Sequence, residues 1–384
     1  MTLFDRRDFL SAALLLPAFA RQTSNERLIG VVSLGDPGGA APPPFGRLLG
    51  AGLDARLFTD LSKISNLQSA ISNEEFFIRT AAPRDLPADG RWAIDLAGLE
   101  SRASSIGQVL IECSGNADQS NYGLMSTAEW SGIPVSTAVE HMRPPAPRYR
   151  ILIAGRDDPG PSRTSMPGAS WIFSPDDLQR AVLATRMNGA PLPRDHGFPA
   201  RLIVPGWYGC TCIKWVDRVE LVADDAPATT QMQEFAARTH QPFDSGDVER
   251  SLRAAVARPS DSAQTDSLRA KDFIPAVIDT AAMPVRAEKW RVDGRIVYRL
   301  TGIIWGGSKP TSALSIRFKA SEPWAKVENC PLPASTLTWS LWTHTWRPES
   351  PGRYQIVLRV DDPSIRTRRL DLFFYVRDVV IDEV

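Results

Sequence analysis

A single cysteine at the end of an apolar segment is the first candidate for chemistry in this sequence. The run Val109-Leu110-Ile111 leads through Glu112 to Cys113, and the small residues Ser114 and Gly115 follow directly. A thiolate is a suitable ligand for a soft metal site, and small neighbours leave room beside the sulfur. The alternative is a thiol buried in the core, where free cysteines are common. The local pattern thus offers Cys113 as a metal ligand or as a core residue.

A second group of chemically competent side chains lies in residues 187–215, MNGAPLPRDHGFPARLIVPGWYGCTCIKW. This segment concentrates Asp195, His196, Arg201 and Lys214 around Pro-Gly turns. Arginine offers a planar fork of donors, lysine a point charge and histidine a switchable donor, which together suit a phosphate or a polar heterocycle. A polar loop with one structural histidine is the alternative interpretation.

The other cysteines restrict the kind of metal site. Four cysteines in 384 residues do not form a disulfide scaffold, and a bridge between Cys210 and Cys212 would be strained. The sequence has no C-x-x-C pair and no C-x-x-C-H motif, which argues against structural zinc, an iron–sulfur cluster and covalently attached haem. We expect Cys210 and Cys212 to be small buried thiols in a turn, in preference to a second metal site with His240.

Short apolar strands must position these residues. Up to about residue 222, segments such as RWAIDLAGL, QVLIEC and RYRILIAG alternate with turns and occasional helical segments, which predicts an α+β domain with a mixed sheet. The clearest predicted helix begins with Ser174 as its N-cap and ends at Gly189. In the last hundred residues, apolar side chains alternate with period two over at least five short segments, which predicts a β-sandwich of immunoglobulin type.

Composition and the first twenty residues restrict partners and location. The 44 basic and 44 acidic residues cancel, so nucleic acid and anionic membrane surfaces are not expected as partners. Arg6-Arg7, a short apolar run and Ala18-Phe19-Ala20 predict a twin-arginine signal peptide over residues 1–20, and hence a periplasmic protein. We expect no membrane span, because no stretch approaches about 18 consecutive apolar residues.

Several motifs together resemble the sulfite oxidase family of molybdenum-cofactor (molybdopterin) oxidoreductases. EEFFIRT, ECSGN, AEWSGIPVSTAVE and the 187–215 segment occur in the family's order. The resemblance implies a sulfite-oxidase-type molybdopterin-binding domain over residues 21–280, including the polar connection at 224–279. It also implies an immunoglobulin-like dimerisation domain over residues 281–384, and therefore a homodimer.

The resemblance further implies one molybdenum held by one pterin, with Cys113 as the only protein ligand to the metal. Arg79 is expected near the metal and is counted with Cys113 as catalytic. His196 and Arg201 are expected to hold the pterin and its phosphate, and Lys214 to contact the phosphate region. Phe77 and Asp157 complete the implied cofactor-binding set, and no haem is expected.

The substrate-facing residues depart from the family's pattern. GNADQ places Ala117-Asp118 where the pattern has an arginine, and Lys309 is the expected partial replacement for a second arginine after a Gly-Gly turn. Tyr122 and Tyr208 are candidates for the family's active-site tyrosine. The implied activity is oxygen-atom transfer that oxidises sulfite or a related small sulfur compound, with electrons passed to an external acceptor such as cytochrome c. Reduction of an S- or N-oxide, or a catalytically silent exported binding protein, stays open as an alternative.

Overall fold

The computed structural model describes residues 25–35, 43–64, 70–90, 93–96, 98–116, 122–142, 149–157, 168–235, 268–372 and 375–384. Within these ranges no helix is long and apolar enough to cross a bilayer. The predicted signal peptide, the Ala117-Asp118 departure and His240 lie outside the described residues.

Strands dominate the described regular structure. In chain order they are β1 Glu26–Val32, β2 Ser104–Glu112, β3 Met125–Pro134, β4 Tyr149–Gly155, β5 Ser170–Phe173, β6 Val182–Met187, β7 Ala190–Pro191, β8 Arg201–Ile203, β9 Val216–Ala223, β10 Ala281–Val292, β11 Arg295–Trp305, β12 Leu314–Arg317, β13 Ala325–Lys326, β14 Ser340–Trp346, β15 Gly352–Val360 and β16 Arg377–Ile381. The α-helices are α1 Val135–His141 and α2 Thr230–Glu234. The described part of the chain is therefore mostly β, and the predicted α+β class overstated its helical content.

The first half of the described chain contains two sheets, and Cys113 directly follows a strand of one of them. One has the strand order β2-β3-β6-β7, with β8 added against β6, and the other has the order β5-β4-β9. All strand pairs within these sheets are antiparallel, so the predicted mixed sheet was wrong for the described strands. β6 and β7 are joined by only two residues, Asn188 and Gly189. Such a connection requires antiparallel pairing, whereas parallel strands need long crossovers.

The helix predicted over residues 174–189 was also wrong beyond its first turn. Its start is present, since the Ser174 N–H donates to Asp177 Oδ2 at 2.8 Å and the Asp177 N–H donates to Ser174 Oγ at 3.3 Å. The chain then enters β6, which pairs with both β3 and β8. Asn188 and Gly189 have φ values of 51° and 76°, so the Asn-Gly pair forms the hairpin turn to β7 and does not end a helix. Pairing on both edges of β6 outweighs the local helix signal.

The C-terminal half contains two four-stranded antiparallel sheets, ordered β1-β10-β11-β14 and β13-β12-β15-β16. They pack through aromatic rings, because Trp346 on β14 stacks on Phe318 at 4.1 Å and meets Tyr354 on β15 edge-on at 4.8 Å. β1 is hydrogen-bonded to β10, so residues 26–32 lie in this half although the sequence division assigned them to the first domain. The domain boundaries and the immunoglobulin type of the sandwich stay predictions.

The two halves share one buried core. A continuous cluster of buried apolar side chains includes Leu110 and Trp171 from the first half and Trp305 and Trp342 from the second. The Leu110 N–H also donates to the Leu337 carbonyl at 2.6 Å. The strand that leads to Cys113 is thus held in part by the C-terminal half.

Candidate active site

One cavity is lined by all seven side chains that the sequence analysis named for the metal and the cofactor. Its wall includes Phe77, Arg79, Cys113, Asp157, His196, Arg201 and Lys214. The space inside it is about 830 Å³, part of which is open to solvent. These side chains come from segments far apart in the sequence, so the fold brings the two motifs together.

Cys113 lies directly after β2, where a tight turn exposes its sulfur to the cavity. The Asn116 N–H donates to the Cys113 carbonyl at 2.9 Å, and Asn116 Oδ1 accepts from the Leu124 N–H at 3.1 Å. A Cβ atom at Gly115 would lie 3.8 Å from Cys113 Sγ, so a larger side chain there would begin to cover the sulfur. The small residues after Cys113 therefore keep its thiol accessible from the cavity.

The FFIR motif supplies an aromatic ring and a cation to the same wall. The Ile78 and Leu57 backbones bond to each other, each N–H donating at 2.9 Å, and the Phe77 N–H donates to Ser126 Oγ at 3.0 Å. Arg79 Nη1 donates to the Leu53 carbonyl at 3.2 Å. This pairing fixes the motif's backbone and places Phe77 and Arg79 on the cavity wall with Cys113.

His196 is a neutral, oriented imidazole. Its Nε2 lies 2.8 Å from the Asn73 carbonyl oxygen, and because a carbonyl only accepts, Nε2 carries the proton and Nδ1 remains an acceptor. Burial, reinforced by the charge of Arg201, lowers the pKa of His196 to about 4. Gly197 turns the chain with φ 115°, a left-handed conformation that favours glycine.

The buried Arg201 and the half-buried Lys214 form the basic part of the wall. Arg201 is 5% exposed and lies 5.4 Å from the centre of the Trp130 ring. Its Nε has no hydrogen-bond partner among the described residues, and burial lowers the pKa of Arg201 to about 10. Lys214 donates to the Asp195 carbonyl at 3.0 Å and to the Thr80 carbonyl, and burial together with the charge of Arg201 lowers its pKa well below the ordinary value.

The wall also includes Asp157, which the resemblance implied, and residues that no sequence motif indicated. Asp157 Oδ2 accepts from the Ala169 N–H at 3.0 Å. Gln231 on α2 accepts from the Ser170 N–H at 2.8 Å and donates to the Cys210 carbonyl at 2.7 Å. The other wall residues that sequence analysis did not select are Leu53, Thr80, Ser114, Ala169, Gly209, Cys210, Cys212, Ile213, Glu234 and Phe235. The α2 residues lie in a polar stretch with no motif of its own, so the sequence carried no signal for them.

Cys210 and Cys212 are buried in and just after the one-turn helix Gly209–Thr211, as expected. Burial raises the pKa of Cys212, which favours the neutral thiol. Within the described residues, no group of three or more His, Cys, Asp or Glu side chains forms a metal site.

Three residues considered for substrate contacts lie elsewhere. Lys309 is half-exposed and pairs with Asp362 at 3.4 Å. Tyr122 donates to Glu112 Oε1 at 2.8 Å. Tyr208 is buried, with the guanidinium of Arg368 5.3 Å from its ring centre. None of the three is among the described residues that line the cavity.

A buried ion pair lies one residue before Cys113. Arg368 clamps Glu112 with two parallel bonds, Nη1 to Oε1 at 2.6 Å and Nη2 to Oε2 at 2.7 Å. Tyr122 and Trp305 Nε1 also donate to the Glu112 carboxylate, at 2.8 and 2.9 Å. Burial alone would raise the pKa of Glu112, but the charge and bonds of Arg368 outweigh it and lower that pKa. The pair joins β2 to a segment 256 residues away.

The residues present fit a molybdopterin in chemical terms. Cys113 offers a single soft donor in the cavity wall. The buried Arg201, whose Nε lacks a partner within the described ranges, and the half-buried Lys214 offer N–H donors for a phosphate. The individual roles assigned to the seven wall residues stay predictions.

Residues 88–230 match the family model described as the oxidoreductase molybdopterin binding domain. The chain is 26% identical to sulfite oxidase of Gallus gallus over 324 residues, which cover 76% of this chain and 66% of that relative. It is 27% identical to mitochondrial sulfite oxidase of Mus musculus over 199 residues, which cover 48% of this chain and 33% of the relative. The aligned region thus spans one third to two thirds of the length of these relatives.

The crystal structure of the sulfane dehydrogenase SoxCD from Paracoccus pantotrophus is similar in fold. The TM-score is 0.58 at 15% sequence identity, and the match covers 90% of this chain and 91% of that chain. The fold similarity therefore extends over both halves of the chain.

Proposed function

Because this chain belongs to the sulfite oxidase family of molybdenum-cofactor oxidoreductases, we propose that it is an exported enzyme that catalyses oxygen-atom transfer at a molybdenum held by Cys113. The observation that carries the proposal is the meeting of Cys113 with Arg201 and Lys214 in one cavity wall. A thiolate together with arginine and lysine donors is what a metal bound to a phosphate-bearing organic cofactor requires.

Molybdenum in its pterin supplies the two-electron redox chemistry and the oxygen atom that is transferred. The chain holds and orients the cofactor: Cys113 through its thiolate, Arg201 and Lys214 through the phosphate, and His196 through its unprotonated Nδ1. Phe77 excludes water beside the metal ligand. Arg79, on the same wall as Cys113, neutralises negative charge near the reacting atoms.

We propose a small sulfur compound, with sulfite first, as the substrate, and an external one-electron carrier such as cytochrome c as the electron acceptor. The sulfite oxidases among the relatives support the substrate class. Homodimer formation through the C-terminal half and a periplasmic location belong to the same proposal, and the signal-like sequence of residues 1–20 supports the location.

Reduction of an S- or N-oxide is the second candidate. Two observations favour it: the sequence has Asp118 where the family pattern has an arginine, and Lys309 is paired with Asp362 away from the cavity wall. Both reduce the positive charge available to a sulfite anion.

Metal analysis tests the enzyme proposal. The purified protein, expressed in a host that makes the cofactor, should contain about one molybdenum per chain, and Cys113→Ala should lose it. Cys330→Ala is the matched control, because Cys330 is only half-buried and is not among the cavity-lining residues. A folded protein without molybdenum or pterin would refute the proposal. It would favour the alternative of a catalytically silent exported binding protein.

Paired assays separate the two candidate reactions. Sulfite-dependent reduction of cytochrome c should exceed reduction of a sulfoxide by an artificial electron donor. Turnover in the second assay alone would overturn the sulfite proposal.

A further inference from the structure

A second guanidinium lies behind Arg79 at the Cys113 end of the cavity. Arg56 is anchored through its backbone, which exchanges two hydrogen bonds of 2.8 Å with Leu49. A single terminal nitrogen, Nη1, donates to the carbonyls of Leu53 at 3.0 Å and Ala55 at 2.7 Å, and to the carbonyl of Arg79 itself. The Arg56 side chain therefore fixes the backbone from which Arg79 projects.

Arg56 and Arg79 also share an acceptor. The Leu53 carbonyl accepts from Arg56 Nη1 at 3.0 Å and from Arg79 Nη1 at 3.2 Å. Two cations are thereby held close together, and Leu53 and Arg79 both line the cavity. Like charges this close repel; the negative charge of Asp54 offsets part of this repulsion at Arg56, and an anion in the cavity beside Arg79 would offset more of it.

The electrostatic environment of Arg56 connects it to the metal ligand. Burial and the positive charge of Arg79 lower the pKa of Arg56 to about 10, whereas Cys113 and the carboxylate of Asp54 act in the opposite direction. At neutral pH Arg56 therefore stays charged. The positive charge of Arg56 interacts electrostatically with Cys113. Solvent screens this interaction only weakly, because the Arg56 side chain is partly buried.

The positive charge on the rest of the wall has other uses. Arg201 and Lys214 are assigned to the cofactor phosphate, and Lys309 pairs with Asp362 outside the wall. Among the described residues, Arg79 is thus the remaining cation of the wall that includes Cys113, and Arg56 is hydrogen-bonded to its carbonyl.

We propose that Arg56 is a positioning residue that fixes Arg79 beside Cys113 and makes the site selective for anionic over neutral small substrates. This inference rests on the proposed function, since it assigns the charge of the substrate that the cavity takes. Arg56 does not itself line the cavity, so it acts through Arg79 and through its own charge.

The three-carbonyl environment of Nη1 suggests a matched pair of variants. Arg56→Gln retains two N–H donors for the carbonyls but loses the charge, whereas Arg56→Lys retains the charge and offers three N–H donors. Arg286→Gln is the control, because Arg286 Nη1 also donates to two backbone carbonyls, those of Ser62 and Ile64, at 2.8 and 3.2 Å, and Arg286 is not among the cavity-lining residues.

We expect Arg56→Gln to raise KM for sulfite about tenfold, equivalent to ~1.4 kcal/mol, with kcat changed by less than about threefold and molybdenum content unchanged. KM for a neutral sulfoxide should not change. The affinity for sulfate, an unreactive anion, should fall by the same factor when measured by quenching of tryptophan fluorescence. Arg56→Lys should restore most of both losses, and Arg286→Gln should behave like the wild type.

Sulfate binding separates failure of this inference from failure of the proposed function. If the molybdenum-loaded wild type does not oxidise sulfite but Arg56→Gln still weakens sulfate binding, the proposed reaction fails and the role of Arg56 stands. If Arg56→Gln binds sulfate and turns over sulfite as the wild type does, the inference is overturned. It is equally overturned if Arg56→Lys fails to restore sulfate affinity in a protein with full molybdenum content.

Discussion

The buried ion pair behind Cys113 predicts a large and pH-dependent loss of stability on replacement of Arg368 by methionine. In Arg368→Met the Glu112 carboxylate, only 1% exposed, keeps the donors of Tyr122 and Trp305 but loses its countercharge. Leaving one member of a buried pair without its partner typically costs about 3–5 kcal/mol. We expect the free energy of unfolding at pH 7 to fall by that amount.

The pH dependence follows from the direction of the Glu112 pKa in each protein. In the wild type Arg368 lowers this pKa, so the pair stabilises the fold above the ordinary glutamate pKa, and the stabilisation is lost as pH falls through the lowered value. In the variant, burial raises the pKa of Glu112, and only the hydrogen bonds from Tyr122 and Trp305 oppose it. Burial is the largest of these effects, so the folded protein can take up a proton and become neutral at acid pH. The difference in stability between the two proteins should therefore shrink between pH 7 and pH 5.

Urea unfolding followed by tryptophan fluorescence and circular dichroism at both pH values measures this difference. The control is the double variant Glu112→Gln/Arg368→Met, which removes both charges and should recover at least about half of the loss. A cost below about 1 kcal/mol at pH 7, or an equal cost at both pH values, would refute the assignment of Glu112 as a buried carboxylate neutralised by Arg368.

Three further predictions concern single positions. The folded-state pKa of His196, about 4, lies below its unfolded value, so acidification from pH 7 to pH 5 should remove about 2 kcal/mol of stability, and His196→Gln should remove that pH dependence in urea titrations. Lys309→Ala should leave kcat/KM for sulfite within about twofold and stability within about 1 kcal/mol, because its pair with Asp362 is exposed; a larger kinetic loss would restore Lys309 as a substrate residue. Gly302→Ala should lower stability by about 3 kcal/mol in thermal unfolding, since the new Cβ would lie 2.1 Å from the Trp342 ring.

The parts of the site that sequence analysis anticipated are those whose determinants are contiguous. Cys113 and its small-residue turn form one segment, and His196, Arg201 and Lys214 belong to another, so residue type and spacing identified both. Family resemblance, and not spacing, predicted that these segments would meet. The structure places them in one cavity wall, and the matched relatives confirm the family.

The sequence patterns could not predict contacts between segments that are distant in the chain. The partner of Glu112 is 256 residues away, and neither arginine nor glutamate carries a local signal for burial. β1 was assigned to the first domain because it precedes the cofactor motifs, yet its hydrogen bonds are made with β10. The helix prediction after Ser174 was wrong for the same reason. The residues of β6 pair with β3 and β8, which are distant in sequence, and this pairing replaces the helix.

These long-range contacts change the role of the C-terminal half. Trp305 on β11 and Arg368 both donate to Glu112, and the Leu337 carbonyl accepts from Leu110 on the same strand. The backbone that presents Cys113 is therefore restrained from the C-terminal side at two points, Leu110 and Glu112. The proposed role of Cys113 as a metal ligand requires such restraint, because a thiolate that shifts by a fraction of an ångström alters the geometry of a bound metal. The C-terminal half is thus part of the apparatus that positions Cys113, whatever further role its sheets have in assembly.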